Sequence, residues 1–178
     1  MAIYNTGSDS ANTNVRAFLT TIGEYYYGAR FDTSSGKGKQ IWKEIQEKFN
    51  NSCAYCNSKV QKLTIEHLIM FNRTECGLHH PGNIVPCCKE CNKRSRNKDK
   101  QYVDWETHLR SLCSQDKFNQ RKEKIKKHME EYGYPNLSSD EFHALKAITH
   151  HLYESTKNEL DKSVNLFKSI DANIVNKS

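Results

Sequence analysis

The sequence predicts an α+β chain, mostly helical, in which a small metal-stapled core sits between helical regions at either end. Apolar residues recur at helical spacing over 15–28, 38–49 and much of 101–178. The segment 51–99 instead holds most of the cysteines and two short extended pieces. Only 36% of the 178 residues are hydrophobic, so the core is small or helped by a metal. These observations divide the chain into an N-terminal helical region (1–50), a core (51–100) and a C-terminal helical region (101–178).

In the first region, Val15, Phe18, Leu19, Ile22, Tyr25 and Tyr26 line one helix face, and Ile41, Trp42, Ile45 and Phe49 line a second. The loop from Asp32 to Gly38 has turn composition, but lacks the glycine and lysine spacing of a phosphate-binding loop. In the core, Val60 to Ile65 alternates as a strand does, and Asn83-Ile-Val-Pro86 is a second extended piece broken by its proline. Lys89 to Lys98 has no glycine or proline and is expected to be helical. In the third region, Tyr102 to Leu112 and Phe118 to Met129 read as helices, the latter ended by Gly133 and Pro135. Ser138 and Glu141 form a capping box that opens a long segment, about 48 Å if helical from 139 to 170. A helix of that length either wraps back on the N-terminal helices or offers a face to a second copy or a protein partner.

Composition excludes several classes. No apolar stretch is long enough to cross a bilayer. The polar start, Met1 to Asn14, lacks the apolar run of a secretory signal, so a cytoplasmic location is expected. Nine Tyr, seven Phe and two Trp supply anchors that disordered chains lack.

Seven cysteines cannot all pair within one chain, and disulfides are rare in a reducing compartment. Their spacing points to metal. Cys53 and Cys56 form one C-x-x-C and Cys88 and Cys91 a second, and two such knuckles can close a tetrahedral zinc site. A redox role would need a pair opening a helix in a βαβ unit, which neither does. Cys76, Cys87 and Cys113 are expected to be packed thiols.

The net charge of +6 is unevenly spread. From Lys89 to Lys127 there are 13 Lys/Arg against 6 Asp/Glu, a net of +7. One cluster holds Lys89, Lys93, Arg94, Arg96, Lys98 and Lys100, and the other Lys117, Arg121, Lys122, Lys124, Lys126 and Lys127. The first, following directly on the second knuckle, suits a nucleic-acid backbone. The second reads equally well as a solvated helix face.

Between the knuckles lies Thr64-Ile-Glu66-His67, and around the second lie Asn83 and Asn92 in Gly82-Asn-Ile-Val-Pro-Cys-Cys-Lys-Glu-Cys-Asn92. In order and spacing, Cys53 to about Lys98 resembles the HNH endonucleases, the ββα-metal nucleases with a four-cysteine zinc site. The resemblance covers roughly a quarter of the chain. It implies a ββα-metal core and hydrolysis of phosphodiester bonds, DNA most often. His67 would be the general base. Glu66 and Asn92 would hold a catalytic Mg²⁺ or Mn²⁺. Asn83 would order the loop and orient the histidine. The chemistry suits these types: a neutral histidine takes a proton from water near pH 7, and hard oxygen ligands suit Mg²⁺. The family setting is restriction, anti-phage defence or mobile elements in bacteria and phage. Glu66 departs from the commoner Asp, and Asn92 stands for a histidine. His79 and His80, in the loop between, either touch metal or phosphate, or lie on the surface or pack against Pro81. The histidines at 108, 128, 143, 150 and 151 read as surface or packing residues. Two rival readings use the same features: a zinc-supported nucleic-acid-binding module without catalysis, and a nuclease subunit active only with a protein partner.

Overall fold

The computed structural model describes residues 6–99 and 101–175. Lys100, a member of the first basic cluster, lies outside them. The fold is α+β and mostly helical: α1 (Gly7–Tyr27), α2 (Gly36–Lys48), β1 (Thr64–His67), β2 (Ile84–Cys87), α3 (Trp105–Leu112), α4 (Gln115–Glu131) and α5 (Ser139–Val175).

Helix α1 starts earlier than the apolar spacing suggests, because Thr6 and Asp9 cap it reciprocally and Ala11 extends its buried face. Gly28, at φ 74, ends it in the left-handed conformation that glycine tolerates. The α5 capping box forms as expected: Ser138 Oγ accepts the Glu141 N–H, and Glu141 Oε2 accepts the Ser138 N–H.

The two strands pair antiparallel, with Glu66 opposite Val85 and His67 opposite Ile84. The expected strand over Val60 to Ile65 is displaced to Thr64–His67. The first knuckle turn takes up the preceding residues, with the Cys53 N–H on the Ser58 carbonyl and Asn57 at φ 63. Pro86 sits inside β2, opposite Ile65. A two-stranded ribbon tolerates it, since its missing donor faces no third strand. Its carbonyl instead accepts the Ala54 N–H and ties the first knuckle to the sheet.

The expected helix over Lys89 to Lys98 does not form. The chain runs through turns closed by the Arg96–Tyr102 bridge, with Asn97 Oδ1 accepting the N–H groups of Asp99 and Gln101. Asn92, Ser95 and Asn97 are residues whose side chains compete for the backbone bonds a helix needs.

Two apolar clusters hold the fold. One joins Phe31, Ile45 and Phe49 to the knuckles, both strands and Trp105, Leu109, Phe118 and Ile125. The other packs α1 on α5 through Ala11, Val15, Leu19, Leu145 and Tyr153, with Cys76 and Leu78 beneath. Helix α5, 37 residues and about 56 Å long, thus wraps back on α1 over its first half. Leu160, Val164, Leu166, Phe167 and Ile170, further along, are exposed. No described helix is long and apolar enough to cross a membrane.

Candidate active site and metal centre

The four knuckle cysteines converge, their sulfurs all within 4.8 Å of one another. Each knuckle closes by the same return bond, Asn57 N–H to the Cys53 carbonyl and Asn92 N–H to the Cys88 carbonyl. Cys56 Sγ and Cys88 Sγ stand 3.7 Å apart. Tetrahedral zinc with bonds near 2.3 Å needs an edge of about 3.8 Å. Four soft donors at that spacing fit zinc, in a closed site with no open position.

Cys87 Sγ lies 3.9 Å from Cys53 Sγ but outside this set. That contact draws Cys53 down to about 4 and pushes Cys87 well up, which suits a ligand thiolate beside a packed thiol. Cys76 is buried and Cys113 half-buried, and Cys76 Sγ contacts Thr149.

Groups distant in sequence support the knuckles. His108 Nε2 lies 2.7 Å from the Cys91 carbonyl and Arg121 donates to the carbonyls of Tyr55 and Cys56. Lys122 and Lys126 pair with Glu106. Part of the second basic cluster therefore braces the fold rather than facing solvent alone.

Glu66 and His67 are consecutive on β1 and face opposite sides. Glu66 is buried, and its Oε1 accepts from Arg94 Nη2 and from Tyr55 Oη. Burial raises the Glu66 carboxyl above the ordinary range, while the Arg94 charge opposes that shift. Arg94 also donates to the carbonyls of Leu68 and His67. Its guanidinium is thus turned inward, and it is not a surface contact for nucleic acid. Lys89, Lys93, Arg96 and Lys98 are exposed.

Glu66 does not fit a hard cation in this arrangement, because its carboxylate is already paired with a buried guanidinium. The Asn92 amide nitrogen donates to Thr64 Oγ1 and the Ile65 carbonyl, which fixes the side chain by its nitrogen and not by the oxygen a metal would take.

His67 has a different environment. Its Nε2 lies 3.0 Å from His79 Nδ1, and its ring stacks on Phe71 with centroids 4.7 Å apart. Burial, then His79, Arg94 and Arg16, hold it down to about 3, so it is neutral at pH 7. Asn83 pins the loop that carries these partners: its Oδ1 accepts the Ile69 N–H, and its Nδ2 donates to the carbonyls of Ile69 and Leu78. α1 approaches this loop so closely that a Cβ on Gly23 would overlap the His79 carbonyl.

Of the surface and packing alternatives for His80 and His128, both take packing and are fully buried. His80 Nδ1 accepts the Gly82 N–H, and His128 Nε2 donates to the carbonyls of Pro81 and Ile84. Sequence reading missed His108 and His128 as parts of this assembly, left His79 between a site contact and a surface or packing residue, and took Arg94, two residues past Asn92, for a nucleic-acid contact.

Comparison with known proteins gives one informative match. The chain is 28% identical to a protein of Bacillus subtilis (strain 168) named "SPbeta prophage-derived putative HNH endonuclease YoqL", over 51% of this chain and 42% of that one. The chain therefore spans about two fifths of that relative's length. No family model matches, and no solved structure does.

Proposed function

We propose that this chain is an endonuclease of the HNH type that hydrolyses phosphodiester bonds of nucleic acid, DNA in the first instance. The observation that carries this reading is the state of His67: neutral, half-buried, with one ring nitrogen engaged by His79. For His67 Nδ1 to accept a proton, Nε2 must bear hydrogen and donate it to His79 Nδ1. His67 Nδ1 then takes the proton of a water whose oxygen attacks phosphorus. One P–O bond forms, another breaks, and the departing alkoxide oxygen is protonated from solvent. Asn83 fixes the loop that brings His79 to His67.

Cys53, Cys56, Cys88 and Cys91 would hold zinc, which supplies rigidity to the hairpin that ends in His67 and no chemistry of its own. The family's catalytic Mg²⁺ or Mn²⁺ does not fit Glu66 while that carboxylate is paired with Arg94. The Glu66–Arg94 pair favours a second reading, a zinc-stabilised nucleic-acid-binding module without catalysis.

Incubation with supercoiled plasmid, single-stranded DNA and RNA, across Mg²⁺, Mn²⁺, Zn²⁺ and EDTA, separates the two. Cleavage lost in a His67→Ala protein that keeps its zinc and its DNA binding is the expected result. Binding without cleavage under every ion gives the second reading.

A further inference from the structure

A cleft of about 410 Å³ opens beside the His67 site, large enough for a nucleotide-sized group. Three arginines from three separate segments line it: Arg16 from α1, Arg73 from the loop after β1, and Arg96 from the turns after the second knuckle. Asn12, Asn72 and Tyr102 add polar groups. Asn72 Oδ1 is taken by the N–H groups of Thr74 and Glu75, which leaves its amide nitrogen to donate. Phe71 is a wall shared with the proposed active site, since its ring also stacks on His67.

The three cations are not equally free. Arg73 lies over the Tyr153 ring and 3.9 Å from Glu154, so its charge is partly balanced. Arg96 stacks on Tyr102 and donates to its hydroxyl, which holds the guanidinium without neutralising it. Arg16 is exposed and, among the described residues, pairs with no carboxylate. Glu75 is the one acid on the lining. Its Oε1 accepts the Tyr102 N–H and its Oε2 is buried, so the carboxylate is drawn under the cleft.

We infer that this cleft seats the phosphodiester backbone of the nucleic acid next to the phosphate at His67, with Arg16 and Arg96 as its two principal phosphate contacts. The inference rests on the nuclease reading above and adds an element to it. It makes α1, a helix far from the knuckles in sequence, part of the nucleic-acid interface. Phosphate contacts of this kind position a strand without reading its bases, so they serve DNA and RNA alike.

The test is fluorescence anisotropy on the zinc-loaded protein without Mg²⁺ or Mn²⁺, which limits metal-dependent cutting and leaves the knuckle zinc in place, with labelled duplex DNA, single-stranded DNA and RNA oligonucleotides over a range of salt. Arg16→Ala and Arg96→Ala should each weaken binding about fivefold to tenfold at about 0.1 M salt, and each should lower the salt slope by about one. Arg16→Lys should recover most of the slope. Lys168→Ala, on the exposed part of α5 and outside the cleft, should change affinity less than twofold. Arg16 and Arg96 are exposed, so unchanged melting temperatures are expected and exclude a folding defect. Wild-type binding with unchanged affinity and slope in both arginine variants overturns the cleft alone and leaves the nuclease reading standing. Failure of the wild type to bind any of the three probes overturns both. The probe that loses most affinity in the double variant identifies the strand the cleft holds.

Discussion

Glu66 and His67 are neighbours in one strand, and the two sides of that strand are built differently. The Glu66 side is closed: carboxylate, guanidinium and phenol hydroxyl are buried together and hydrogen-bond one another. The His67 side is a wall of rings, His79 and Phe71, that holds an imidazole neutral beside an open cleft. A buried ion pair held by further hydrogen bonds to a hydroxyl and to backbone carbonyls acts as a structural fixture. In the proposed function, the neutral imidazole with one nitrogen held by His79 is the proton acceptor. Adjacency in the sequence therefore does not imply a shared role.

Substitutions on each side should move different observables. The largest effect is on rate: His67→Ala should lower cleavage by about 10²–10⁴-fold while its melting temperature and zinc content stay close to wild type. Arg94→Met should do the converse. It strands the Glu66 carboxylate in the interior and should cost about 3–5 kcal/mol in urea unfolding. If Arg94→Met left stability intact and only slowed cleavage, the division between the sides would collapse.

A smaller effect sharpens the His67 side. His79→Ala should reduce the rate about tenfold with little change in KM, since positioning partners of this kind commonly contribute about 10–100-fold. His79→Asn, whose Oδ1 can replace Nδ1 as acceptor, should restore most of it. Equal loss in both variants would show that His79 contributes bulk rather than orientation.

The smallest effect is graded with pH. Burial holds His80 and His128 down to about 4 in the folded chain, below the ordinary 6.5. The unfolded chain then binds more protons between those values. Their contribution is complete above about pH 6.5 and is lost as pH falls toward 4, by up to about 1.4 kcal/mol per pH unit for each histidine. Urea midpoints measured from about pH 7 to about pH 5 should fall accordingly, and His128→Gln should flatten the slope.

Much of this was legible in the chain. The knuckles announce themselves by spacing, because a tetrahedral thiolate site constrains four residues at once. The capping box at Ser138 and Glu141 and the apolar stripes of α1 to α5 are equally local signals. The Glu66–Arg94 pair is not local: charge density after the second knuckle suggested an outward, cationic helix, whereas Arg94 folds inward and turn-forming residues leave no helix there. His79 was ambiguous for the same kind of reason. Whether a loop histidine meets solvent or another ring depends on how the loop returns, and here Asn83 and the Gly23 approach of α1 decide it.

The larger apolar cluster draws Phe31, Ile45 and Phe49 from before the first knuckle and Trp105, Leu109, Phe118 and Ile125 from after the second. Arg121 and His108 clasp knuckle carbonyls from the same later helices. The motif-bearing hairpin is therefore not a portable cassette. Cut out at 51 and 99 and grafted elsewhere, it would keep its four sulfurs and lose the walls that hold them in register. A host protein would have to supply an aromatic floor and two hydrogen-bonding clasps before the transplanted histidine stood where it stands here.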